Sequence, residues 1–180
     1  MFWKKKKKKK ATEFACPDCN NDQVEWPALT FKAPDNYHLL SEQEKAEFGK
    51  LDTDFCEIHY EDQIDRFIRV TLIQKVNDTE DNLHYGLWVS LSEKSYLDYS
   101  SNFTNENHET GYFGWLCNTI PEYENTMSIP CDVLTKTGND RPEIFPHQSF
   151  DHPFVSDYYG GITKEEAEQR IHAMMKNGKS

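Results

Sequence analysis

Residues 66–76 read RFIRVTLIQKV, which puts Ile68, Val70, Leu72 and Val76 on one face and Arg69, Thr71 and Lys75 on the other. A period of two marks a strand, because successive side chains on a pleated backbone point to opposite faces. Residues 84–91, HYGLWVSL, repeat the pattern with Tyr85, Leu87, Val89 and Leu91 on one side. Residues 54–60 set Cys56, Ile58 and Tyr60 against Phe55, Glu57 and His59. The acidic stretch 77–82 reads as the hairpin loop joining the two longer runs. Half-buried antiparallel strands are therefore expected at the centre of the fold.

Helix signals lie on either side. Ser41-Glu42-Gln43-Glu44 matches a capping box, in which the Ser and Glu side chains satisfy each other's backbone N–H groups. It opens a helix to about Phe48, with Leu40 and Phe48 turned inward and Gly49 closing it. A second helix is expected from Ser92 to about Tyr99, followed by a surface loop over residues 100–110. Residues 111–118, GYFGWLCN, are aromatic and contain two glycines, and short strands are expected near 126–135 and 141–147. Thr163-Lys164-Glu165-Glu166 is a second capping box and starts a helix over residues 163–176, with Ala167, Ile171, Met174 and Met175 on one face. The order lacks a regular βαβ rhythm. The expected class is α+β: a mostly antiparallel sheet with helices packed on one side and an N-terminal CxxC knuckle. Residues 1–12 read as a disordered polybasic tail and 13–176 as a single domain.

Charge is uneven. The chain holds 20 Lys and Arg against 31 Asp and Glu, and seven of the lysines form the run Lys4–Lys10. Without that run 13 basic side chains remain, a formal charge of −18 on the rest. Such a body repels phosphate backbones, so nucleic-acid binding by the folded domain is not expected, whereas a basic protein partner is. No stretch of about 18 apolar residues occurs, and no apolar segment follows the early lysines, so the expected compartment is the cytoplasm. Residues 1–10, MFWKKKKKKK, read as a solvated tail, as a weak contact with anionic membrane, or as a segment folding back on the acidic body.

Several stretches together resemble the bacterial domain-of-unknown-function 2199 family. They are Cys16-Pro-Asp-Cys19, Trp26-Pro-Ala-Leu-Thr-Phe31, Ala33-Pro-Asp-Asn-Tyr-His38, Leu51-Asp-Thr-Asp-Phe-Cys56 and Arg66-Phe-Ile-Arg69. Gly86-Leu-Trp-Val-Ser-Leu-Ser92, Phe113-Gly-Trp-Leu-Cys117, Arg141-Pro142, Asp151-His-Pro153 and Gly161-Ile-Thr163 continue the match. The family pattern places a Gly after the second Cys and a His soon after. Asn20 and Asn21 stand there in this chain, so the resemblance supplies no local His ligand. It implies a shared fold and brings no activity with it.

Candidate chemistry is sparse. Cys16 and Cys19 form a lone CxxC, a turn that suits zinc, free thiols or a reversible disulfide. Zinc would need further ligands, with Cys56 first and His38, His59, Cys117 or Cys131 after it. A thiol-dependent small enzyme using the same cysteines is the alternative to a binding module. His152, beside Asp151, reads as a base with its orienting carboxylate or as an exposed loop imidazole. Trp88 lies on the face opposite Leu87 and Val89, and with Trp115 it suggests either a covered sheet or a groove for a partner; Arg69 alternates out of the core face as an anion contact. No P-loop, nucleotide-binding glycine motif or nucleophile elbow is present. The expected function is a small acidic protein-binding module docking through the sheet face near Trp88 and Trp115.

Overall fold

The computed structural model describes residues 26–177, together with the backbone of residues 14–15 and 22–23. In chain order the elements are β1 (Phe14–Ala15), β2 (Asp22–Gln23), β3 (Leu29–Thr30), α1 (Asp35–His38), α2 (Glu42–Phe48), β4 (Gly49–Leu51) and β5 (Phe55–His59). There follow β6 (Ile64–Gln74), β7 (Leu83–Leu91), α3 (Glu93–Ser101), β8 (Gly111–Leu116), β9 (Pro130–Leu134), β10 (Glu143–Pro146), α4 (Pro153–Gly160) and α5 (Lys164–Asn177). Both capping boxes form as the sequence predicts. Ser41 Oγ accepts from the Glu44 N–H while Glu44 Oε2 accepts from the Ser41 N–H, and Thr163 and Glu166 do the same at the start of α5.

The spine is the antiparallel β6–β7 pair, in register from Phe67 opposite Ser90 to Gln74 opposite Leu83. From β7 the chain continues antiparallel into β8, then β9, then β10. β10 returns alongside β6 in parallel, with Glu143 opposite Thr71. The five strands β6 to β10 thus close into a barrel, and β3, β5 and β4 extend it at the edges. This corrects the expected open sheet with helices on one side. The physical reason lies in the strand count. In a meander of five strands the first and last run the same way, so closure needs one parallel seam. The Thr71 N–H supplies it by donating to the Pro142 carbonyl across 2.8 Å. Closing the sheet pairs β10 with β6 and leaves only the short strands β3 and β4 at the ends of the strand order.

Closure makes two cores. Inside the barrel, Ile68, Val70, Leu72, Tyr85, Leu87, Val89, Leu116, Cys131, Val133 and Ile144 pack together, joined by Ala167 and Ile171 of α5. Outside it, Cys56, Ile58, Phe67, Trp88 and Cys117 form a second cluster, covered by Phe31, Tyr37, Leu40 and Phe48. β7 is therefore buried on both faces, which the expected half-buried strand was not. Gly114, inside β8, lets that strand lie close against β7, since a Cβ there would stand 3.0 Å from the Ser90 carbonyl.

A buried polar knot fixes the cover in place. Asn118, fully buried, accepts the Trp88 backbone N–H through Oδ1 and donates through Nδ2 to the Ala33 carbonyl and to Asp35. Trp88 Nε1 donates to the Phe31 carbonyl at 3.1 Å. The main-chain and indole N–H groups of Trp88 thus both have partners, as burial of such groups requires.

Candidate functional site

β4 and β5 run past the end of the barrel, and α3 lies against the same side of this extension. The register sets Phe55 and Glu57 beside Ile68 and Arg66, on the side that faces the barrel interior. From α3, Tyr96 and Tyr99 point back at Phe55, with ring centroids 5.7 Å away in each case, and Phe103 meets Phe55 at 5.0 Å. Phe103 also meets Tyr99 edge-on. Aromatic rings favour these tilted, edge-to-face contacts because the ring edge is positive and its face negative.

The rings stop short of filling the space. A groove of about 890 Å³ remains, lined by aromatic Tyr37, Phe55, Tyr96 and Phe103, by Leu51 and Leu97, and by the carboxylates of Asp52 and Glu57. Leu97 is 52% exposed, and Leu51 and Phe103 are part of the same open apolar lining. Asp52 Oδ1 accepts the N–H groups of Asp54 and Phe55, which locks the β4–β5 turn. Glu57 bonds the His59 ring at 2.7 Å and faces Lys50 Nζ at 3.8 Å. Burial, with the Glu57 carboxylate beside it, pushes the Tyr96 hydroxyl above its ordinary range, so it stays a neutral donor. β4 stands at the end of the strand order, paired on one side to β5. Acidic α2, with Glu42, Glu44 and Glu47, leads directly into it and packs on β4 and β5.

A family model described as "Uncharacterized protein conserved in bacteria (DUF2199)" matches residues 15–162. The chain belongs to the DUF2199 family. No curated protein and no solved structure matches it. The DUF2199 match takes in the whole barrel and both walls of the groove.

Within this DUF2199 domain the residues singled out by sequence are scattered. Cys16 and Cys19 lie outside the described residues. Cys56 is fully buried in the second core, and burial, with Glu57 and Asp52 nearby, pushes its thiol up to about 12. Among the described residues no group of three or more His, Cys, Asp and Glu side chains is placed to hold a metal ion.

Trp88 and Trp115 do share the outer face of the barrel. Trp88 is 0% exposed beneath residues 31–48, so the covered-sheet reading of its face holds there, whereas Trp115 is 44% exposed. Trp115 meets Phe113 edge-on at 4.9 Å, and Phe113 meets the His147 ring. Arg69 reaches back to the Thr53 carbonyl at 3.4 Å; burial and the neighbouring Arg141 lower its pKa.

His152 is not an exposed loop imidazole. Residues 153–160 form α4, and His152 is its N-cap: Nδ1 accepts from the Phe154 N–H and Nε2 donates to the Glu124 carbonyl. Both ring nitrogens are thus committed to the backbone.

The groove itself was not evident from single residues. The strand reading does place Phe55 and Glu57 on one face. The spacing of Tyr96, Tyr99 and Phe103 is the helical stripe that carries the other wall. Phe103 falls in a stretch that the sequence predicts to be a surface loop, whereas α3 runs on to Ser101 and turns the ring back onto Phe55.

Proposed function

We propose that this protein is a small acidic protein-binding module whose groove between β4–β5 and α3 receives an extended basic segment of a partner protein. One observation carries the reading: an apolar, aromatic-lined trough with carboxylates on its rim opens beside the outer edge of β4, the last strand in the order among the described residues. Each part has a matching role. Aromatic walls take apolar or aliphatic stems, including those of lysine. Asp52 and Glu57 complement cationic heads, and the excess of acid over the rest of the surface speeds encounter with a basic partner. A strand edge adds main-chain hydrogen bonds to an extended peptide.

The test is a fluorescence-anisotropy titration with a labelled peptide that combines aromatic and lysine residues. Saturable binding that weakens with salt is expected. The exposed substitution Leu97→Lys should weaken it at least about tenfold by filling the trough and offsetting its negative charge, while Phe113→Lys on the outer face leaves it unchanged. Equal binding by wild type and Leu97→Lys, or equal binding of an acidic peptide, overturns the reading.

A further inference from the structure

Residues 2–10 supply two aromatic side chains, Phe2 and Trp3, followed by seven lysines. That is the chemistry the groove is built to hold: aromatic walls from Tyr37, Phe55, Tyr96 and Phe103, and carboxylates from Asp52 and Glu57. We propose that the chain's own residues 2–10 compete for this groove in cis, so that a basic partner binds by displacing them. The inference rests on the reading of the groove as a site for basic segments.

Two quantities support the occupant. The first is reach. Fifteen residues separate Lys10 from Trp26, and since Phe14–Ala15 pairs antiparallel with Asp22–Gln23, only the stretches on either side of that pair add reach, about 25 Å when extended. A domain of this size has a radius of gyration of about 15 Å, so that span exceeds the radius, and residues 2–10 themselves extend it further. The second is charge. The lysine run faces a body with a formal −18, so its local concentration is set by attraction as well as by the tether. A covalent tether of this length gives an effective concentration on the order of 1 mM. A segment with an intrinsic dissociation constant of about 0.1 mM would then fill the groove roughly ten to one, and a competing peptide would bind about tenfold more weakly than to an open groove.

A tail that merely hovers over an acidic surface would lack site preference, and the two aromatics separate the cases. The full-length protein is treated with a carbodiimide, which joins lysine amines to carboxylates, and the monomer is mapped by peptide mass spectrometry. The expected result is that Lys4–Lys10 link to Asp52 or Glu57 above the other carboxylates. That preference should be lost in the full-length double substitution Phe2→Ser/Trp3→Ser. The same variant should bind the external aromatic–lysine peptide about tenfold more tightly than wild type. Links scattered over the carboxylates according to exposure, and unchanged by the double substitution, overturn the proposal. So do links confined to the dimer, which assign the tail to a second copy. If the external peptide binds both forms with equal affinity, the cis proposal fails and the groove's function stands. If it binds neither form, both fail.

Discussion

Thr71 donates its backbone N–H to the carbonyl of Pro142 across 2.8 Å, and its hydroxyl reaches the same oxygen at 3.2 Å. This seam joins the first and last barrel strands, 71 residues apart in sequence. A bond that opens only when the barrel opens exchanges its hydrogen at the rate of global unfolding. The Thr71 amide is therefore expected among the slowest in native-state hydrogen exchange, with the protection of its interior neighbours Val70 and Leu72. Exchange at the rate of surface loops would mean that the seam frays.

Asn118 ties the segment covering Trp88 to strand β7. Replacing it with alanine leaves the buried Trp88 N–H and the Ala33 carbonyl without partners. Each unsatisfied buried group costs about 1–3 kcal/mol, so Asn118→Ala should lose about 2–6 kcal/mol. Denaturant unfolding checks this through a lower midpoint at unchanged slope.

His152 caps α4 at a distance from the groove. His152→Ala should lose about 1 kcal/mol, the usual worth of a helix cap, while peptide affinity stays at the wild-type value. His152→Asn, which keeps a capping acceptor, should recover part of the loss. A change in affinity larger than the change in stability would restore His152 to the binding machinery.

Cys56, Cys117 and Cys131 are buried, and burial pushes each thiol up to about 12. An aromatic disulfide reagent at pH 8 should therefore label at most two of the five cysteines until the protein unfolds. The sign of the pH effect follows from the same shift. The unfolded thiols ionise near 9 and the folded ones near 12, so their contribution is complete below pH 9 and is lost between 9 and 12. At pH 10 each thiol should cost about 1.4 kcal/mol of stability, read as a falling melting temperature. A melting temperature flat to pH 11 would contradict the burial of these groups.

The features legible in the sequence are those written within a few residues. The Ser41–Glu44 and Thr163–Glu166 boxes are four residues long, and the alternation through Ile68, Val70 and Leu72 is local by nature. Closure was not legible, because it depends on the pairing of Thr71 with the segment at Pro142, and no local pattern tells a closing strand from an edge strand. Trp88 on the second face of β7 was the nearest hint, since a strand apolar on both sides must be covered twice. The α4 cap was hidden for another reason. Adjacent Asp151 and His152 draw attention as an acid–base pair, whereas Pro153 at the first helical turn is the signal that a helix begins there. The groove combines residues from β4, β5, α1 and α3, so its lining follows from tertiary packing of segments that the sequence shows only one at a time.

Backbone chemical-shift mapping tests the central claim most directly. The isotope-labelled full-length protein is titrated with the aromatic–lysine peptide at low salt. The account predicts the largest saturating shifts at Lys50, Leu51, Asp52, Phe55, Leu97, Phe103 and Thr104. Shifts centred on Phe113 and Trp115, or spread evenly over the acidic surface without saturation, would contradict it.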